Sequence, residues 1–192
     1  MPVSMDEVVQ RVAAYQPRSL PPDGMRAATA LVLCAEPEPL FVVIRRATRH
    51  GDPWSGHAAL PGGRCDKSDV DAAATARRET HEEIGLIVGE PVGQLDDIGG
   101  RFHKGVVTPV VFQISRAQPL HPDPREVAAA HWVPLSLLED PKRRTRHPHR
   151  KIGPWPAWDY QTGDVPPLDS LIIWGLTHRI LSNFLDVIDP AR

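Results

Sequence analysis

Cysteine, excess charge of either sign and long apolar runs are all scarce in this 192-residue chain. Its two cysteines, Cys34 in an apolar run and Cys65 in a polar loop, predict free thiols in a reducing compartment. A net charge of −2 argues against nucleic acid or an anionic membrane as a partner. No stretch approaches the roughly 18 continuous apolar residues of a membrane span, and Met1–Leu20 lacks a signal-peptide pattern. The composition therefore predicts a cytoplasmic protein.

The length is sufficient for one compact domain with additions at its ends. A short amphipathic helix is predicted over Met5–Ala14, where Val8 and Val12 share one side. Prolines follow it and indicate a hinge. We therefore expect an N-terminal lead-in over residues 1–24 and a main domain over residues 25–192.

Strand and helix signals alternate along the main domain. Apolar, β-branched-rich runs at 27–34 and 40–45 predict two strands with a tight connection. Apolar residues spaced by three and four predict a long amphipathic helix over Asp169–Ile188. Three further strands are predicted at 89–98, 105–115 and 130–133, and a turn of helix is predicted at 135–138. This order indicates a mixed α/β domain.

Three carboxylates are predicted to share one turn of a helix. Glu79 meets Glu82 at i,i+3 and Glu83 at i,i+4. An alanine-rich stretch leads into them, Asp69 is the expected cap near the helix start, and Gly85 is expected to end the helix. Acidic residues on a helix usually form a solvated face. The alternative is a site for a divalent cation, and oxygen ligands of this kind suit Mg²⁺ or Mn²⁺ better than zinc.

The segment Arg78–Leu86, which reads Arg-Glu-Thr-His-Glu-Glu-Ile-Gly-Leu behind a Leu60–Gly63 turn, resembles the Nudix box. Thr80 stands where that motif usually has a bulky aliphatic residue. Counting back along the motif, its first glutamate falls on Val70, with Asp69 beside it. The resemblance implies a Nudix-type α/β/α sandwich with a mixed β-sheet.

The same resemblance implies the chemistry, which is metal-dependent hydrolysis of a diphosphate linkage. It implies Glu79 and Glu83 as metal ligands, Glu82 as a ligand or water-activating base, and Arg78 as a residue that orients them. The Gly62 carbonyl is a further ligand candidate. A carboxylate often enters from a later loop, and Glu126 is the candidate, although a surface acid is the equal alternative. The predicted catalytic set is thus Glu79, Glu82 and Arg78, and the predicted metal set is Glu79, Glu82, Glu83, Gly62 and Glu126.

The loop before the box resembles the coenzyme A pyrophosphatase branch of the family. Gly63 lies one residue further from the box arginine than the strict spacing allows, and Leu60–Asp66 is similar to that branch's Phe-Pro-Gly-Gly-x-x-Asp. Gly56 also matches, but Asp52 stands where the branch has a second arginine. The residues expected to bind substrate are Arg45, Arg46, Arg49 and Gly63, although arginines after a strand are also ordinary surface residues.

This resemblance predicts coenzyme A or acyl-coenzyme A as substrate, with 3′,5′-ADP and 4′-phosphopantetheine as products. Two alternatives stay open: hydrolysis of ADP-ribose or another nucleoside diphosphate derivative, and a non-catalytic Nudix-fold binding module. The basic run 142–151 is either a solvated face or a site for a terminal phosphate. Trp155, Trp158 and Tyr160 are either an aromatic wall of the site, part of the core or a contact in a homodimer.

Overall fold

The structure is a computed structural model that describes residues 4–21, 24–36, 38–52, 54–99, 105–148, 153–161 and 170–191. The helices are α1 (Met5–Ala14), α2 (Ala72–Ile84) and α3 (Gly175–Ile188), with short 3₁₀ turns at Leu135–Leu138 and Pro141–Arg143. The strands are β1 (Met25–Glu36), β2 (Leu40–Arg46), β3 (Ala58–Ala59), β4 (Gly62–Arg64), β5 (Pro91–Gln94), β6 (Ile98–Gly99), β7 (Gly105–Arg116), β8 (Val127–Pro134), β9 (Arg144–His147), β10 (Trp155–Gln161) and β11 (Ser170–Trp174).

A mixed sheet of eight strands forms the centre of the fold. The long strands β1 and β7 run parallel along most of their length, and β2 pairs with β1 in the antiparallel direction. The order across the sheet is β3-β2-β1-β7-β5, while β4 pairs with β1, β6 with β7 and β8 with β2. The predicted mixed sheet is therefore confirmed.

Both faces of this sheet are covered by helices, because alternate residues of its strands point to opposite sides. Leu31 and Leu33 of β1 belong to the core beneath α1 and α3, whereas Ala30 and Val32 belong to the core beneath α2. The result is the predicted α/β/α arrangement. The division of the chain at residues 24 and 25 stays a prediction.

Helix α1 has the predicted bounds, and its start is fixed by a capping box between Ser4 and Glu7. The prediction of one long helix from Asp169 was wrong at its beginning. Asp169 lies outside the described residues, and Ser170–Trp174 is strand β11, so the helix begins only at Gly175. A short apolar run satisfies helical and strand spacing equally well, and here pairing with β10 decides its conformation.

A second sheet of three strands, in the order β11-β10-β9, was not predicted. Its strand β9 lies in the basic run 142–151, of which residues 149–151 are outside the described residues. Trp158, Leu171 and Ile173 of this sheet lie in the core beneath α3, which attaches the sheet to the domain. In the described ranges no helix combines the length and apolar character that a bilayer crossing requires. Cys34 is buried, Cys65 is exposed, and the two are not bonded, as predicted.

Candidate active site

Helix α2 carries the predicted acidic residues, and Asp71 caps its start, just before Ala72. The side chain of Asp71 accepts a hydrogen bond from the Ala74 N–H at 2.7 Å, which satisfies one of the unpaired donors of the first turn. The prediction of Asp69 as the cap was wrong, because its carboxylate binds elsewhere. Gly85 ends the helix in the left-handed conformation at φ +67°, as predicted.

The Gly62-Gly63 turn lies directly against the helix, and glycine allows a close approach at both positions. At Gly62, where φ is +154°, an added Cβ would lie 2.3 Å from the carbonyl oxygen of Ala28 in β1. At Gly63 an added Cβ would lie 2.5 Å from Oε1 of Glu79. The absence of side chains therefore lets the turn approach β1 on one side and the Glu79 carboxylate on the other.

Arg78 connects the carboxylates at the mouth of this site. Its Nη1 donates to Glu79 Oε1 and to Glu82 Oε2, each at 2.9 Å. Its Nε and Nη2 donate to the two oxygens of Asp69 at 3.1 and 2.9 Å. Nη2 also donates to the Arg64 carbonyl at 3.1 Å, so the guanidinium is fixed on both sides.

Glu83 lies at the buried end of the site, where its residue is only 3% exposed. Its Oε2 accepts a hydrogen bond from the Gly62 N–H at 2.9 Å. Burial raises the pKa of Glu83 to about 8, despite that hydrogen bond. Burial also raises the pKa of Glu79, although Arg78 opposes the shift. Hydrogen bonds from Arg78, by contrast, hold the pKa of Asp69 well below its usual range.

This donor set fits a hard divalent cation. Burial raises the pKa of both Glu79 and Glu83, and the charge of Glu79 raises that of Glu83 further, so a positive ion would stabilise both ionised carboxylates. No group of three His, Cys, Asp or Glu side chains is arranged for a metal within the described residues. Arg78 Nη1 holds Glu79 and Glu82, so a metal that takes both must compete with the guanidinium for their oxygens.

Glu126 lies beside this group rather than within it. Its Oε1 is 3.1 Å from Nη2 of Arg49, and Arg49 also donates to the Arg125 carbonyl. The negative charge of Glu126 is one of the smaller causes that raise the pKa of Glu83 after burial. The later loop therefore does bring a carboxylate near the predicted metal ligands, where it is paired with a predicted substrate-binding arginine.

The other two predicted arginines also have partners in the chain. Arg46 Nη2 lies 3.1 Å from Asp52 Oδ2. Asp52, which stands where the coenzyme A branch has its second arginine, therefore forms an ion pair with Arg46. The Nε of Arg46 is buried and donates to no group in the described part of the structure. Arg45 Nη2 donates to the Ser170 carbonyl at 3.3 Å, which joins β2 to β11.

Sequence reasoning missed two features of this region. The first is that Asp69 orients Arg78. The available signal was that Asp69 lies next to Val70, the position at which the motif has its first glutamate. An aromatic group near the site contains His57 and His147, for which the sequence offered no signal, because the two lie far apart in the chain. Of the three uses considered for the Trp-rich stretch, the core is confirmed for Trp158, which is buried there and donates from Nε1 to the Leu138 carbonyl at 3.1 Å. His81 is exposed, as expected.

The sandwich, the glycine turn and the carboxylate-bearing helix define a protein built on the Nudix scaffold. A family model described as the NUDIX domain matches residues 24–156, and this chain belongs to the Nudix hydrolase family. Two solved structures support the fold at 19% identity: a MutT/nudix family protein from Enterococcus faecalis (TM-score 0.56, covering 97% of this chain and 70% of that one) and the NUDIX domain of Shewanella oneidensis NrtR complexed with ADP ribose (TM-score 0.51, covering 67% and 80%).

Curated relatives differ in how much of their length this chain matches. The uncharacterized Nudix hydrolase NudL of Photorhabdus laumondii is 32% identical over 196 residues, covering 93% of this chain and 95% of that protein. An uncharacterized protein of Schizosaccharomyces pombe is 32% identical over 165 residues, covering 72% of this chain and 50% of that protein. Nudix hydrolase 15, mitochondrial, of Arabidopsis thaliana is 31% identical, covering 86% and 60%. The chain thus spans about half of the yeast relative and nearly all of the bacterial one.

Proposed function

We propose that this protein hydrolyses a diphosphate linkage in a nucleotide derivative with Mg²⁺ or Mn²⁺, and that its substrate is coenzyme A or an acyl-coenzyme A. The products are then 3′,5′-ADP and a 4′-phosphopantetheine. The observation that carries the proposal is the buried Glu83 carboxylate, held by the Gly62 N–H next to Glu79. Such a group destabilises the fold when ionised, and a bound cation compensates for that cost.

The residues that would hold the metal are Glu79 and Glu83, with Glu82, Glu126 and the Gly62 carbonyl as further ligands. When bound, the divalent ion supplies charge neutralisation at the phosphoryl oxygens and lowers the pKa of a water. Nudix hydrolases generally use divalent metal ions, which agrees with this oxygen donor set.

The chain's own groups position the reaction. The Gly62 N–H fixes the orientation of the Glu83 carboxylate, and Gly63 leaves room for that of Glu79. Glu82 is 55% exposed at the mouth of the site, where it can accept a proton from the attacking water. Arg78 orients Glu79 and Glu82 through one nitrogen, so Arg78 and its anchor Asp69 act by positioning rather than on the substrate.

Support for the coenzyme A class comes from the loop before the box. Gly56 and the Leu60–Gly63 turn match that branch, and Arg46 lies at the end of β2 close enough for its charge to act on Glu83. The buried, unsatisfied Nε of Arg46 is a donor that a phosphate oxygen could use. The Asp52 partner weakens the positive field that Arg46 presents to a phosphate.

A substrate panel tests the proposal. Coenzyme A, acyl-coenzyme A, ADP-ribose, NADH and nucleoside triphosphates are incubated with Mg²⁺ or Mn²⁺ in H₂¹⁸O, and the product masses are measured. We expect cleavage of coenzyme A, with one ¹⁸O on a single product that identifies the attacked phosphorus. Preferred cleavage of ADP-ribose would show that coenzyme A is not the main substrate, but it would support the proposed hydrolysis of a diphosphate linkage. Metal binding without cleavage of any compound would favour a binding module and overturn the proposal.

Two matched variants connect that activity to the site. Glu79→Gln and Glu83→Gln keep the shape of each side chain but remove its charge, so both should lose most metal affinity and at least about 100-fold in kcat. Glu90→Gln makes the same change at an exposed position and should leave activity unchanged. Full activity in the Glu79 and Glu83 variants would place the chemistry elsewhere.

A further inference from the structure

Four aromatic rings, from the β2–β3 loop, β9 and β11, form a continuous cluster. The His147 ring stacks on Trp174 with centroids 4.1 Å apart and an interplanar angle of 24°. The His57 ring meets Trp174 edge-on at 5.0 Å and Trp54 edge-on at 6.0 Å. These four residues, hereafter the ring cluster, join the β2–β3 loop to the three-stranded sheet, and their geometries are the favourable ones for aromatic pairs.

The outer member of the ring cluster is exposed to solvent, and its described neighbours form hydrogen bonds within the loop. Trp54 is 43% exposed, whereas Trp174 at the other end is buried. The Trp54 N–H donates to Asp52 Oδ1 at 2.9 Å, and the Arg49 N–H donates to Ser55 Oγ at 2.9 Å. A large exposed aromatic ring on a loop held by its own hydrogen bonds loses little conformational entropy when a ligand binds.

Arg46 links the ring cluster to the carboxylates, through a backbone hydrogen bond on one hand and through its charge on the other. The Arg46 N–H donates to the His57 carbonyl at 3.0 Å across the β2–β3 hairpin. Burial raises the pKa of Glu83 and lowers that of His57, and the charge of Arg46 contributes a lowering effect on both. Gly62 follows His57 by five residues, a length of chain that spans at most about 18 Å. One extended ligand can therefore reach both places.

We propose that the ring cluster is the subsite for the planar base of the nucleotide half of the substrate, which stacks on Trp54 while the diphosphate lies over the carboxylates. The inference rests on the proposed function, because it assumes a nucleotide derivative. Bases stack on aromatic side chains through their π-faces, and removal of such a ring weakens binding by roughly 5- to 150-fold. Burial lowers the pKa of His57 and so favours the uncharged ring, whose edge-on contact supports the Trp54 ring.

The extra sheet contributes to this subsite from outside the eight-stranded sheet. His147 comes from β9 and Trp174 from β11, and both face the loop that carries Trp54 and His57. The Arg45 bond to the Ser170 carbonyl fixes the start of β11 against β2 on the same side. The sheet thus acts as a rigid backing for a loop that faces the ligand.

A pair of ligands that differ only in the base provides the test. AMP and ribose 5-phosphate are titrated into the full chain with excess Mg²⁺, and their Kd values are measured by calorimetry. Saturation-transfer NMR on the adenine protons reports direct contact with the protein. The variants are Trp54→Ala, Trp54→Phe and, as a control at another exposed apolar residue, Ile87→Ala.

We expect the wild-type chain and Ile87→Ala to bind AMP at least about five-fold more tightly than ribose 5-phosphate. Trp54→Ala should lose most of that preference, and Trp54→Phe should keep most of it. An unchanged preference in Trp54→Ala, or equal Kd values for the two ligands in the wild type, would overturn the inference. Because binding is measured without turnover, either result leaves the proposed hydrolysis to be judged separately by the substrate panel.

Discussion

Asp69 and Arg78 form a two-point ion pair, with Nε to Oδ1 at 3.1 Å and Nη2 to Oδ2 at 2.9 Å. The Asp69 side chain is only 6% exposed, and its Oδ2 also accepts from the Thr75 hydroxyl at 2.9 Å. The geometry leaves Nη1 of Arg78 free of Asp69 and directed at Glu79 and Glu82. An aspartate beside the expected glutamate position thus fixes the arginine that orients two candidate metal ligands.

The first prediction concerns that pair. Asp69→Asn removes the charge that anchors Arg78 but keeps the size of the side chain. Arg78 should then no longer be held in the position from which it orients the Glu79 carboxylate. We expect kcat/KM to fall roughly 10- to 100-fold, as is typical when a residue that orients a metal ligand is changed. Steady-state kinetics and metal titration measure the effect.

Asp66→Asn is the control for this change, because Asp66 lies in the same loop and its side chain bonds to Ser68 instead. It should retain wild-type kinetics. A merely structural role for Asp69 would lower Tm without a change in metal affinity at temperatures where the variant is folded. That outcome would remove Asp69 from the site.

Local signals in the sequence were sufficient for the elements whose pattern is complete within a few residues. The shared side of Val8 and Val12 in α1, the glycine at the end of α2 and the spacing of Glu79, Glu82 and Glu83 all depend on neighbours less than two turns apart. The start of α3 depends instead on the pairing of Trp158 with Ile173, which no local pattern contains. The ring cluster was hidden for the same reason, since its contacts join distant segments.

The second prediction separates the two glycines of the turn. Gly62→Ala places a methyl group 2.3 Å from a backbone oxygen that cannot move cheaply, so the protein should lose several degrees in Tm or fail to fold. Gly63→Ala meets only the end of the Glu79 side chain, at 2.5 Å, which can rotate away. The latter variant should fold with nearly normal Tm but bind metal at least about ten-fold more weakly.

Thermal unfolding and metal titration of both variants check this difference. If Gly63→Ala kept its metal affinity, the position of Glu79 over the turn would have no role in ligand binding. If Gly62→Ala were as stable as the wild type, the turn could not approach the β1 backbone as closely as the structure shows. The two results are independent.

The third prediction concerns the basic run. Arg144 and Arg146 are exposed on β9, and Arg146 also donates to the Pro154 carbonyl at 2.9 Å. If this strand receives the 3′-phosphate of coenzyme A, Arg144→Ala and Arg146→Ala should raise KM for coenzyme A several-fold more than KM for dephospho-coenzyme A. Lys67→Ala removes an exposed cation elsewhere and is the control; it should raise the KM of neither substrate. Equal increases for both substrates would assign the run to a solvated face.

The substrate could not be predicted as firmly as the metal ligands, and the structure gives a physical reason. A metal site is specified by a few carboxylates on one helix turn, whereas a substrate site is assembled from separate segments. Arg46, Arg49 and Arg45 were singled out as cations, but each has a partner within the chain. These partners are the Asp52 carboxylate, the Glu126 carboxylate and the Ser170 carbonyl, respectively. Their partners determine how much charge remains for a ligand, and the sequence pattern does not reveal partners.

The last prediction uses the buried Glu83 as a reporter of pH. Burial raises its pKa in the folded chain from 4.5 to about 8, so between these values the unfolded chain has released a proton that the folded chain retains. Raising the pH through this window therefore favours unfolding, and the loss of stability is complete above about pH 8. At 1.36 kcal/mol per pKa unit, the ceiling of the effect is about 5 kcal/mol.

Glu83→Gln removes this proton release, so its Tm advantage over the wild type should grow between pH 5 and pH 8 and then become constant. Thermal scans without metal measure it, with the exposed Glu90→Gln as the control. Excess Mg²⁺ should raise the Tm of the wild type at pH 8 but not that of Glu83→Gln, because the ion binds the ionised carboxylate. Parallel Tm curves for wild type and Glu83→Gln would mean that Glu83 ionises normally, and the main support for a cation at this site would be lost.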